Sequence, residues 1–236
     1  MSPLIEIKDL SYAYPDGNLA LENVSLEVEE GDCIGLIGPN GAGKSTLLLH
    51  MNGILHGNNQ ILIEGMEITP ETICQVREKV ALVFQDPEHQ LFMPSVYEDV
   101  AFGPVNMGWS KDKVNWQVDL ALQEVDMLSA KHRSSHHLSF GEKKRISLAT
   151  VLSMKPKILV LDEPSSNLDP KHRWELIDLL KNLNITKLIA THDLELVSIL
   201  CNKVAILNRG LLKAFGPASE ILSNKDLLVS YDLAKP

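Results

Sequence analysis

The stretch that decides the fold of this 236-residue chain is GPNGAGKST, residues 38–46. It fits the pattern G-x-x-x-x-G-K-[ST], and it stands between the short apolar run CIGLI and a segment with helical spacing. In that setting the glycines let the backbone wrap closely around phosphate, while loop N–H groups and the helix N-terminus face its negative charge. The residues predicted to bind the phosphates of a nucleotide are Gly38, Pro39, Asn40, Gly41, Ala42, Gly43, Lys44, Ser45 and Thr46.

Two side chains of this loop have specific predicted roles. Lys44 is placed to reach the β- and γ-phosphates, and Ser45 is placed to ligate Mg²⁺. The alternative is a glycine-rich turn that fits the pattern by chance, but the strand before it and the helix after it argue against that. The sequence therefore predicts a nucleotide-binding site with Mg²⁺.

The pattern around the loop predicts an α/β fold. Downstream, the apolar runs VALVF, KILVL and KLIAT are separated by helical patterns, which indicates a mainly parallel sheet. Upstream, apolar and polar residues alternate over residues 5–10 and 24–28, which favours antiparallel strands. Strand signals disappear between residues 94 and 154. We therefore predict a single domain, residues 1–236, with an N-terminal antiparallel β-subdomain and an inserted α-helical subdomain at about 88–155.

Local signals give finer predictions. KSTLLLHMNGIL predicts a helix that fades at Gly57, and ILIEGMEI predicts a hairpin. TPETICQVRE predicts a short helix with Thr69 as its cap and Pro70 at its first position, and another helix is expected to start at Asp169 and Pro170. A closing hairpin is expected over KVAILNRGLLKAFG. In the inserted subdomain, the residues predicted to share a buried helix face are Val114, Val118, Ala121, Leu122 and Val125.

Polar side chains follow three of the predicted strands. Asp162 and Glu163 follow ILVL, His192 follows KLIAT, and Gln85 follows VALVF. The carboxyl ends of parallel strands meet at the sheet edge where α/β proteins bind ligands. We predict that Asp162 holds Mg²⁺ through water, Glu163 polarises the attacking water and His192 contacts the γ-phosphate. Gln85 is either a sensor of Mg²⁺ and the attacking water or an ordinary turn residue, and the spacing leaves both open.

The composition restricts the class of protein. Acidic residues outnumber basic ones by 31 to 22, for a net charge of -9, which disfavours nucleic acid and anionic lipid as partners. The three cysteines, Cys33, Cys74 and Cys201, are far apart and odd in number, so we expect neither a disulfide framework nor paired metal ligands but a reducing cytosol. No signal peptide or membrane-spanning run is apparent, so any membrane role is expected to come through partner chains.

The segment HHLSFGEKKR, residues 136–145, combines three signals. Ser139 and Glu142 fit S-x-x-E, which predicts a capping box at the start of a helix. The basic residues Lys143, Lys144 and Arg145 are expected to face solvent or neighbouring acidic residues. The residues that offer an alternative cobalt or nickel site are His132, His136 and His137.

In order along the chain, GPNGAGKST, FQDPE, LSFGE, LVLDEP, SSNLD and ATHD resemble the motifs of the ATP-binding subunits of ABC transporters, and the resemblance covers essentially all 236 residues. It implies a P-loop NTPase (RecA-like) core, ATP with Mg²⁺ as ligands, and two subunits that sandwich two ATP molecules. It further implies that Tyr14 stacks on adenine, with Tyr12 as the neighbouring candidate, and that Asp169 belongs to the D-loop. The signature residues implied to serve the ATP of the opposite subunit are Ser139, Gly141 and Glu142.

Within this family, VFQDPEHQLFMPSVYEDVAFGPVNMG and HHLSFGEKKR are most similar to the cobalt/nickel ATPases of energy-coupling-factor transporters. That likeness implies a peripheral subunit on the cytoplasmic face of the membrane. Its implied partners are a second ATPase subunit, identical or paralogous, a transmembrane coupling subunit and a substrate-binding membrane subunit. Phe140 and Glu142 depart from the usual glycine and glutamine of the signature, which leaves the fine positioning of that half-site open.

Three other classes of protein remain as alternatives. Energy-coupling-factor ATPases for vitamins share much of the same sequence. ABC ATPases that act on DNA or ribosomes carry long coiled-coil inserts or two cassettes in one chain, and this sequence has neither. A P-loop enzyme that phosphorylates a small molecule would need an acceptor pocket, which nothing in the predicted helical subdomain suggests.

Overall fold

The computed structural model describes residues 3–56 and 60–234. Its strands are β1 (Ile5–Ala13), β2 (Leu19–Val28), β3 (Cys33–Ile37), β4 (Ile61–Ile63), β5 (Met66–Glu67), β6 (Val80–Val83), β7 (Ile158–Asp162), β8 (Thr186–Ala190), β9 (Lys203–Asn208) and β10 (Leu211–Pro217). Its α-helices are α1 (Lys44–Met51), α2 (Ile73–Lys79), α3 (Val96–Asn106), α4 (Lys111–Glu124), α5 (Phe140–Leu152), α6 (Pro170–Asn182), α7 (Leu194–Leu200), α8 (Ala218–Ser223) and α9 (Lys225–Ser230).

The strands form two sheets, and both match the prediction. A four-stranded antiparallel sheet has the order β2-β1-β4-β5. A six-stranded sheet has the order β10-β9-β3-β8-β7-β6 and is parallel except for the closing hairpin of β9 and β10. Every residue of β3, β6 and β8 is buried, which explains why these strands are continuous apolar runs instead of alternating ones.

Packing on the two faces of the six-stranded sheet forms two apolar cores. One core joins it to the four-stranded sheet and α1, and the other joins it to α6, α7 and the inserted helices. Helices α3, α4 and α5 lie between β6 and β7 in the chain, inside the range predicted for the helical subdomain. The five residues predicted for one helix face, Val114, Val118, Ala121, Leu122 and Val125, are all buried. Across the described residues, none of the helices is both long and apolar enough to cross a membrane.

Two helix boundaries differ from the prediction. Helix α2 begins at Ile73, not at Pro70, because the residues before it form a turn: the Thr69 N–H donates to the Thr72 hydroxyl at 2.9 Å, and the Thr69 carbonyl accepts from Ile73 N–H at 2.9 Å. Helix α1 ends at Met51, well before the predicted end near Gly57. Gly53 then turns the chain at a φ of 65°, a left-handed conformation that does not continue a helix. Gly57 itself lies outside the described residues.

The predicted helix starts at Asp169 and Ser139 are confirmed. The Asp169 carboxylate accepts the His172 N–H at 3.0 Å, and Pro170 occupies the first position of α6. At α5, the Glu142 carboxylate accepts the Ser139 N–H at 2.7 Å, and the Glu142 N–H donates to the Ser139 hydroxyl at 3.3 Å. These reciprocal bonds are the predicted capping box.

Two of the three cysteines meet in the core without forming a disulfide. Cys33 and Cys201 are 168 positions apart in sequence, yet their Sγ atoms lie 3.7 Å apart in the core. Both are buried free thiols, whereas Cys74 is an exposed thiol. The pair arises because β3 and β9 are parallel neighbours and Cys201 directly precedes the turn into β9.

Candidate active site

The predicted phosphate-binding loop lies at the carboxyl end of β3 and lines a cleft of about 680 Å³. The fold brings Tyr14, Gln85, Asp162, Glu163 and His192 to the same cleft, from the ends or flanks of other strands. Residues that are more than 170 positions apart in the sequence therefore share one site. The parallel sheet places Gln85, Asp162, Glu163 and His192 there, because its strand ends meet at one edge, whereas Tyr14 follows β1 of the antiparallel sheet.

Two glycines are required for the shape of the loop. Gly43 has a φ of 102°, and a Cβ at this position would lie 2.5 Å from the carbonyl oxygen of Ala20. A Cβ on Gly38 would lie 2.0 Å from the carbonyl oxygen of Leu207. Both distances are far below van der Waals contact, so any larger residue would force the loop away from the strands that support it.

Lys44 is the first residue of α1 and is buried at the base of the cleft. Its Nζ atom donates to the carbonyl oxygens of Gly38 at 2.7 Å and Pro39 at 3.1 Å. Burial lowers the pKa of Lys44, and the nearby carboxylates of Glu163 and Asp162 oppose that shift. The site therefore holds a desolvated cation within the loop, where it is suited to attract phosphate.

Asp162 ends β7 with a buried carboxylate that lacks part of its hydrogen bonding. Its Oδ1 atom has no hydrogen-bond partner among the described residues. Burial raises the pKa of Asp162, a hydrogen bond with the Ser45 side chain lowers it, and Glu163 raises it further. The unpaired Asp162 oxygen, the Ser45 hydroxyl and the Gln85 amide oxygen line the same cleft and are hard oxygen ligands. The residues present therefore fit Mg²⁺.

Glu163 is held by the end of the neighbouring strand. Its Oε2 atom accepts from the Thr191 hydroxyl at 3.0 Å and lies 2.9 Å from the Nδ1 atom of His192. The side chain of Glu163 is 10% exposed, whereas that of His192 is 71% exposed. The backbone of Glu163 has a φ of 43°, which is unusual for a residue with a side chain and is found more often at functional sites.

A further charged group supports this arrangement and was not predicted. The guanidinium of Arg173 donates from Nε and Nη2 to the two oxygens of Asp193, both at 2.7 Å. Asp193 also accepts from the Ser165 hydroxyl at 3.1 Å and caps α7 by accepting the Leu196 N–H at 3.0 Å. This cluster ties the loop after β7 to the residue that follows His192. The sequence signal for Asp193 was its cap position before α7, but nothing local indicated Arg173 or Thr191.

Lys144 does not face solvent, which was one of the two expected positions; it lies near acidic residues, which was the other. Its residue surface is only 3% exposed, and its Nζ atom donates to the carbonyl oxygens of Gln85 at 2.7 Å and Glu163 at 3.2 Å. Burial lowers the pKa of Lys144 to about 8, and Asp86, Asp162 and Glu163 oppose that shift. The reason is that α5 packs against the loop after β6 and turns this position inward.

The predictions for the two neighbours of Lys144 are confirmed. Lys143 forms an ion pair with Glu88, and Arg145 lies 3.4 Å from the carboxylate of Glu175. Both contacts are to acidic side chains, as expected.

The remaining signature residues do not reach the cleft of their own chain. Ser139 is exposed at the start of α5, and Gly141 packs against His172, where an added Cβ would lie 3.0 Å from the ring. Glu142 completes the capping box and pairs with Arg133 at 3.2 Å. Asp169 contacts the Nδ1 atom of His172 at 2.6 Å. These groups therefore form a separate surface, which includes the start of α5 and the start of α6.

The two candidate aromatic residues differ in their surroundings. Tyr14 lines the cleft, and its hydroxyl lies 3.0 Å from the hydroxyl of Thr46. Tyr12 packs edge-on against His50, with ring centroids 4.6 Å apart. The geometry favours Tyr14 as the platform for a base and gives Tyr12 a packing role.

The three histidines considered as a cobalt or nickel site are all exposed: His132, His136 and His137. Within residues 3–56 and 60–234, no three His, Cys, Asp or Glu side chains are grouped so that they could hold a metal ion.

The chain is similar to known proteins in sequence and in fold. Residues 21–166 match the family model described as ABC transporter. The chain is 48% identical to a putative ABC transporter ATP-binding protein of Streptomyces avermitilis, covering 100% of this chain and 90% of the relative. It is 45% identical to the energy-coupling factor transporter ATP-binding protein EcfA of Methanothermobacter thermautotrophicus, covering 99% of this chain and 77% of the relative.

A solved structure is also similar over the whole chain. It is that of CbiO1 from Clostridium perfringens, described as part of the ABC transporter complex CbiONQ. The two superpose with a TM-score of 0.85 at 38% identity, covering 100% of this chain and 97% of CbiO1. The fold is therefore that of an ABC-type P-loop ATPase, as predicted.

Proposed function

Because this chain belongs to the ABC transporter family as an ATP-binding, ATP-hydrolysing subunit, we propose that it is the ATPase of an energy-coupling-factor transporter and powers the import of cobalt or nickel ions. The observation that carries the proposal is the likeness over the entire chain to CbiO1, a part of the CbiONQ complex. The segments VFQDPEHQLF and HHLSFGEKKR, which resemble the cobalt/nickel ATPases, support the choice of solute.

The proposed reaction is in-line attack of water on the γ-phosphate of ATP. A bond forms between the water oxygen and the γ-phosphorus as the bond to the β–γ bridging oxygen breaks, which gives ADP and phosphate. Glu163 polarises the water, and its contacts with Thr191 and His192 hold the carboxylate in place. Lys44 stabilises the negative charge that develops on the phosphates. Mg²⁺, held by Ser45, Asp162 and Gln85, would neutralise phosphate charge when bound.

The proposed site also includes a platform for adenine and a set of residues from a second subunit. Tyr14 stacks on the base, since it lines the cleft and contacts Thr46 of the loop. Ser139 and Gly141 lie outside the cleft of their own chain, with Ser139 exposed at a helix N-terminus that attracts anions. We propose that they contact the ATP held by a second subunit, with Glu142 in its capping role and Asp169 at the same interface. The site is then complete only in a dimer, either of two copies or of this chain with a paralogue.

A groove beside Gln85 provides the proposed contact with the membrane partner. It has a volume of about 650 Å³, and its lining includes Arg77, Phe84, Phe92 and Phe102. The Phe92 residue is 59% exposed and Phe102 is 44% exposed, and their rings meet edge to face at 5.1 Å. Two exposed aromatic rings at the rim of a groove are typical of a protein interface. We propose that a short helix of the transmembrane coupling subunit docks here and holds the ATPase on the cytoplasmic face of the membrane.

The test is recovery of the chain from solubilised membranes, followed by mass spectrometry and uptake of labelled Co²⁺ and Ni²⁺. We expect multi-span membrane subunits to co-purify, and the double variant Phe92→Ser/Phe102→Ser to reduce that recovery by about tenfold or more. Trp116→Ser is the matched control, because Trp116 is 63% exposed on α4 and does not line the groove. Uptake of a labelled vitamin in place of the metal ions, or recovery with ribosomes or DNA-repair proteins, would contradict the proposal.

A further inference from the structure

Lys144 is a buried cation that connects three separate parts of the ATPase. It projects from α5, while its ammonium group bonds to the backbone of Gln85 in the loop after β6 and to the backbone of Glu163 at the end of β7. Gln85 and Glu163 both line the nucleotide cleft. One side chain thus contacts the chain segments that carry two proposed groups of the hydrolytic site.

Helix α5 begins on a surface outside the nucleotide cleft of its own chain. Ser139 caps α5 and is exposed, and Lys144 follows it five positions later. At 1.5 Å per residue, that spacing is about 7.5 Å along the helix axis. The capping box adds two hydrogen bonds to the first turn, so that the start of α5 and Lys144 belong to one continuous helix. A small displacement of the exposed helix start would therefore move Lys144 and the carbonyl groups bound to it.

The chemistry of the contact shows that packing alone does not explain this residue. An ammonium group removed from water carries a large desolvation penalty, which a neutral side chain of similar length would avoid. Here two carbonyl oxygens accept from the group, and the nearby carboxylates of Asp86, Asp162 and Glu163 supply opposite charge. The centroid of the Phe140 ring lies 5.6 Å from Nζ. The cation is thus fixed by a built set of partners from the active site.

We propose that Lys144 is a positioning residue that transmits contact between the signature residues of one subunit and the opposite subunit's ATP to Glu163 and Gln85 of its own subunit. When ATP in the other site draws the start of α5 toward it, Lys144 carries the Gln85 and Glu163 segments with it and aligns its own site for hydrolysis. The two sites then hydrolyse ATP cooperatively. This inference rests on the dimer of the proposed function, but not on the transported solute or the membrane partner.

The experiment measures ATP hydrolysis by the purified full-length chain as a function of ATP concentration. For Lys144→Met we expect kcat to fall by about 10- to 100-fold, as for a small misalignment of reacting groups. We expect KM for ATP to stay within about threefold, because Lys44 and the phosphate loop are untouched. We expect the Hill coefficient to fall toward 1, because the proposed link between the two sites is lost. Lys144→Arg keeps a donor cation and should restore part of kcat and of the Hill coefficient. Lys181→Met is the matched control, since Lys181 is an exposed lysine near the end of α6 and lies outside α5 and the loop after β6, and it should behave as wild type.

Two further results distinguish failure of the dimer from failure of the positioning role of Lys144. ATP-dependent dimerisation of Glu163→Gln is measured by light scattering, and its absence would contradict the two-subunit site itself. If the dimer forms but Lys144→Met keeps the wild-type kcat and Hill coefficient, the positioning role is wrong. If Lys144→Met lowers kcat, ATP affinity and melting temperature together and Lys144→Arg restores none of them, the role of Lys144 is merely structural and the proposal is wrong. If Lys144→Met does not fold, Lys144→Gln, which retains an amide donor, is judged by the same criteria.

Discussion

The Nδ1 atom of His192 lies 2.9 Å from the Oε2 atom of Glu163, across the ends of the adjacent strands β8 and β7. Glu163 is nearly buried and further held by Thr191, whereas His192 is largely exposed. The pair therefore joins a nearly buried carboxylate to a largely exposed imidazole that lines the nucleotide cleft. In the proposed hydrolysis, Glu163 accepts a hydrogen bond from the attacking water, and His192 orients the Glu163 carboxylate.

Replacing the carboxylate tests that assignment. Glu163→Gln preserves the size of the side chain and an oxygen that can accept from Thr191, but it removes the negative charge that polarises water. We expect turnover to fall by about 10²- to 10⁴-fold while ATP binding is retained and the ATP-bound dimer accumulates. Steady-state hydrolysis and light scattering check both parts. Hydrolysis at the wild-type rate would remove Glu163 from its role.

The Arg173–Asp193 contact gives a second prediction. Arg173→Met removes both bonds to Asp193 and loosens the residue next to His192. We expect kcat to fall by about tenfold with little change in KM for ATP, because orientation is lost and binding is not. Arg173→Lys should recover only part of this, since an ammonium group cannot reproduce the two-pronged contact. Lys171→Met, at an 80% exposed side chain, is the control, and a similar loss in that variant would refute the specific role.

Stability at acid pH should depend on Asp32. Burial alone would raise the pKa of Asp32. Hydrogen bonds from Lys203, the Glu29 backbone and Asn202 outweigh burial and hold that pKa below its usual value. A depressed folded-state pKa contributes stability above the unfolded-state pKa, and that stability is lost as the pH falls through the folded-state pKa.

The variant Lys203→Met removes the 2.7 Å contact to Asp32 and tests this. We expect its free energy of unfolding to be about 1–2 kcal/mol lower than that of wild type at pH 7. The difference should shrink below about pH 4, where the carboxylate protonates in the unfolded chain. Denaturant unfolding at both pH values measures it. Lys8→Met, in an exposed pair with Glu6, should change stability by less than about 0.5 kcal/mol, and a constant difference for Lys203→Met at all pH values would contradict the assignment.

The role of metal ions is predicted to be limited to Mg²⁺ with the nucleotide. Removal of Mg²⁺ with a chelator should abolish hydrolysis by the isolated subunit. Calorimetric titration of the untagged subunit with Co²⁺ or Ni²⁺ should show no tight stoichiometric binding, because His132, His136 and His137 are exposed and do not converge. Tight binding that disappears in His136→Ala would establish a metal site here.

Phe140 should not obstruct the second half-site. Its ring lies against its own chain, where it lines a cavity with Phe84, Gln85 and Asn167. We expect Phe140→Gly to keep kcat within about threefold of wild type while the melting temperature falls by a few degrees, as for loss of a half-buried ring. A turnover assay and a melting curve check this. A tenfold rise in kcat would show that the ring blocks the approach of the opposite subunit.

The parts of the molecule that local sequence determines were predictable. The phosphate loop, the capping box at Ser139 and the start of α6 each depend on residues within a few positions of one another, and each has the expected form. The order of strands and helices also followed from the period of the apolar residues. Because parallel strands share one carboxyl edge, even the meeting of Asp162 and His192 could be expected.

The rest depends on contacts between distant segments. Lys144 stands among basic residues on an amphipathic helix, and only the packing of α5 against the loop after β6 turns it inward. Arg173 and Asp193 are 20 positions apart, and Cys33 and Cys201 are 168 apart, so no local pattern could pair them. The predicted start of α2 is wrong because the Thr72 hydroxyl stabilises a turn that competes with the first helical residues.

The three thiols give the natural chain a built-in labelling pattern. Cys33 and Cys201 are shielded in the core, while Cys74 is exposed and lines the groove that contains Phe92 and Phe102. A maleimide dye added to the folded protein would therefore attach at Cys74 and stand at the rim of the proposed membrane-partner contact. The fluorescence of the dye would report docking in real time without any engineered cysteine. Because the two core thiols do not react, assembly could be followed with the label at one known position.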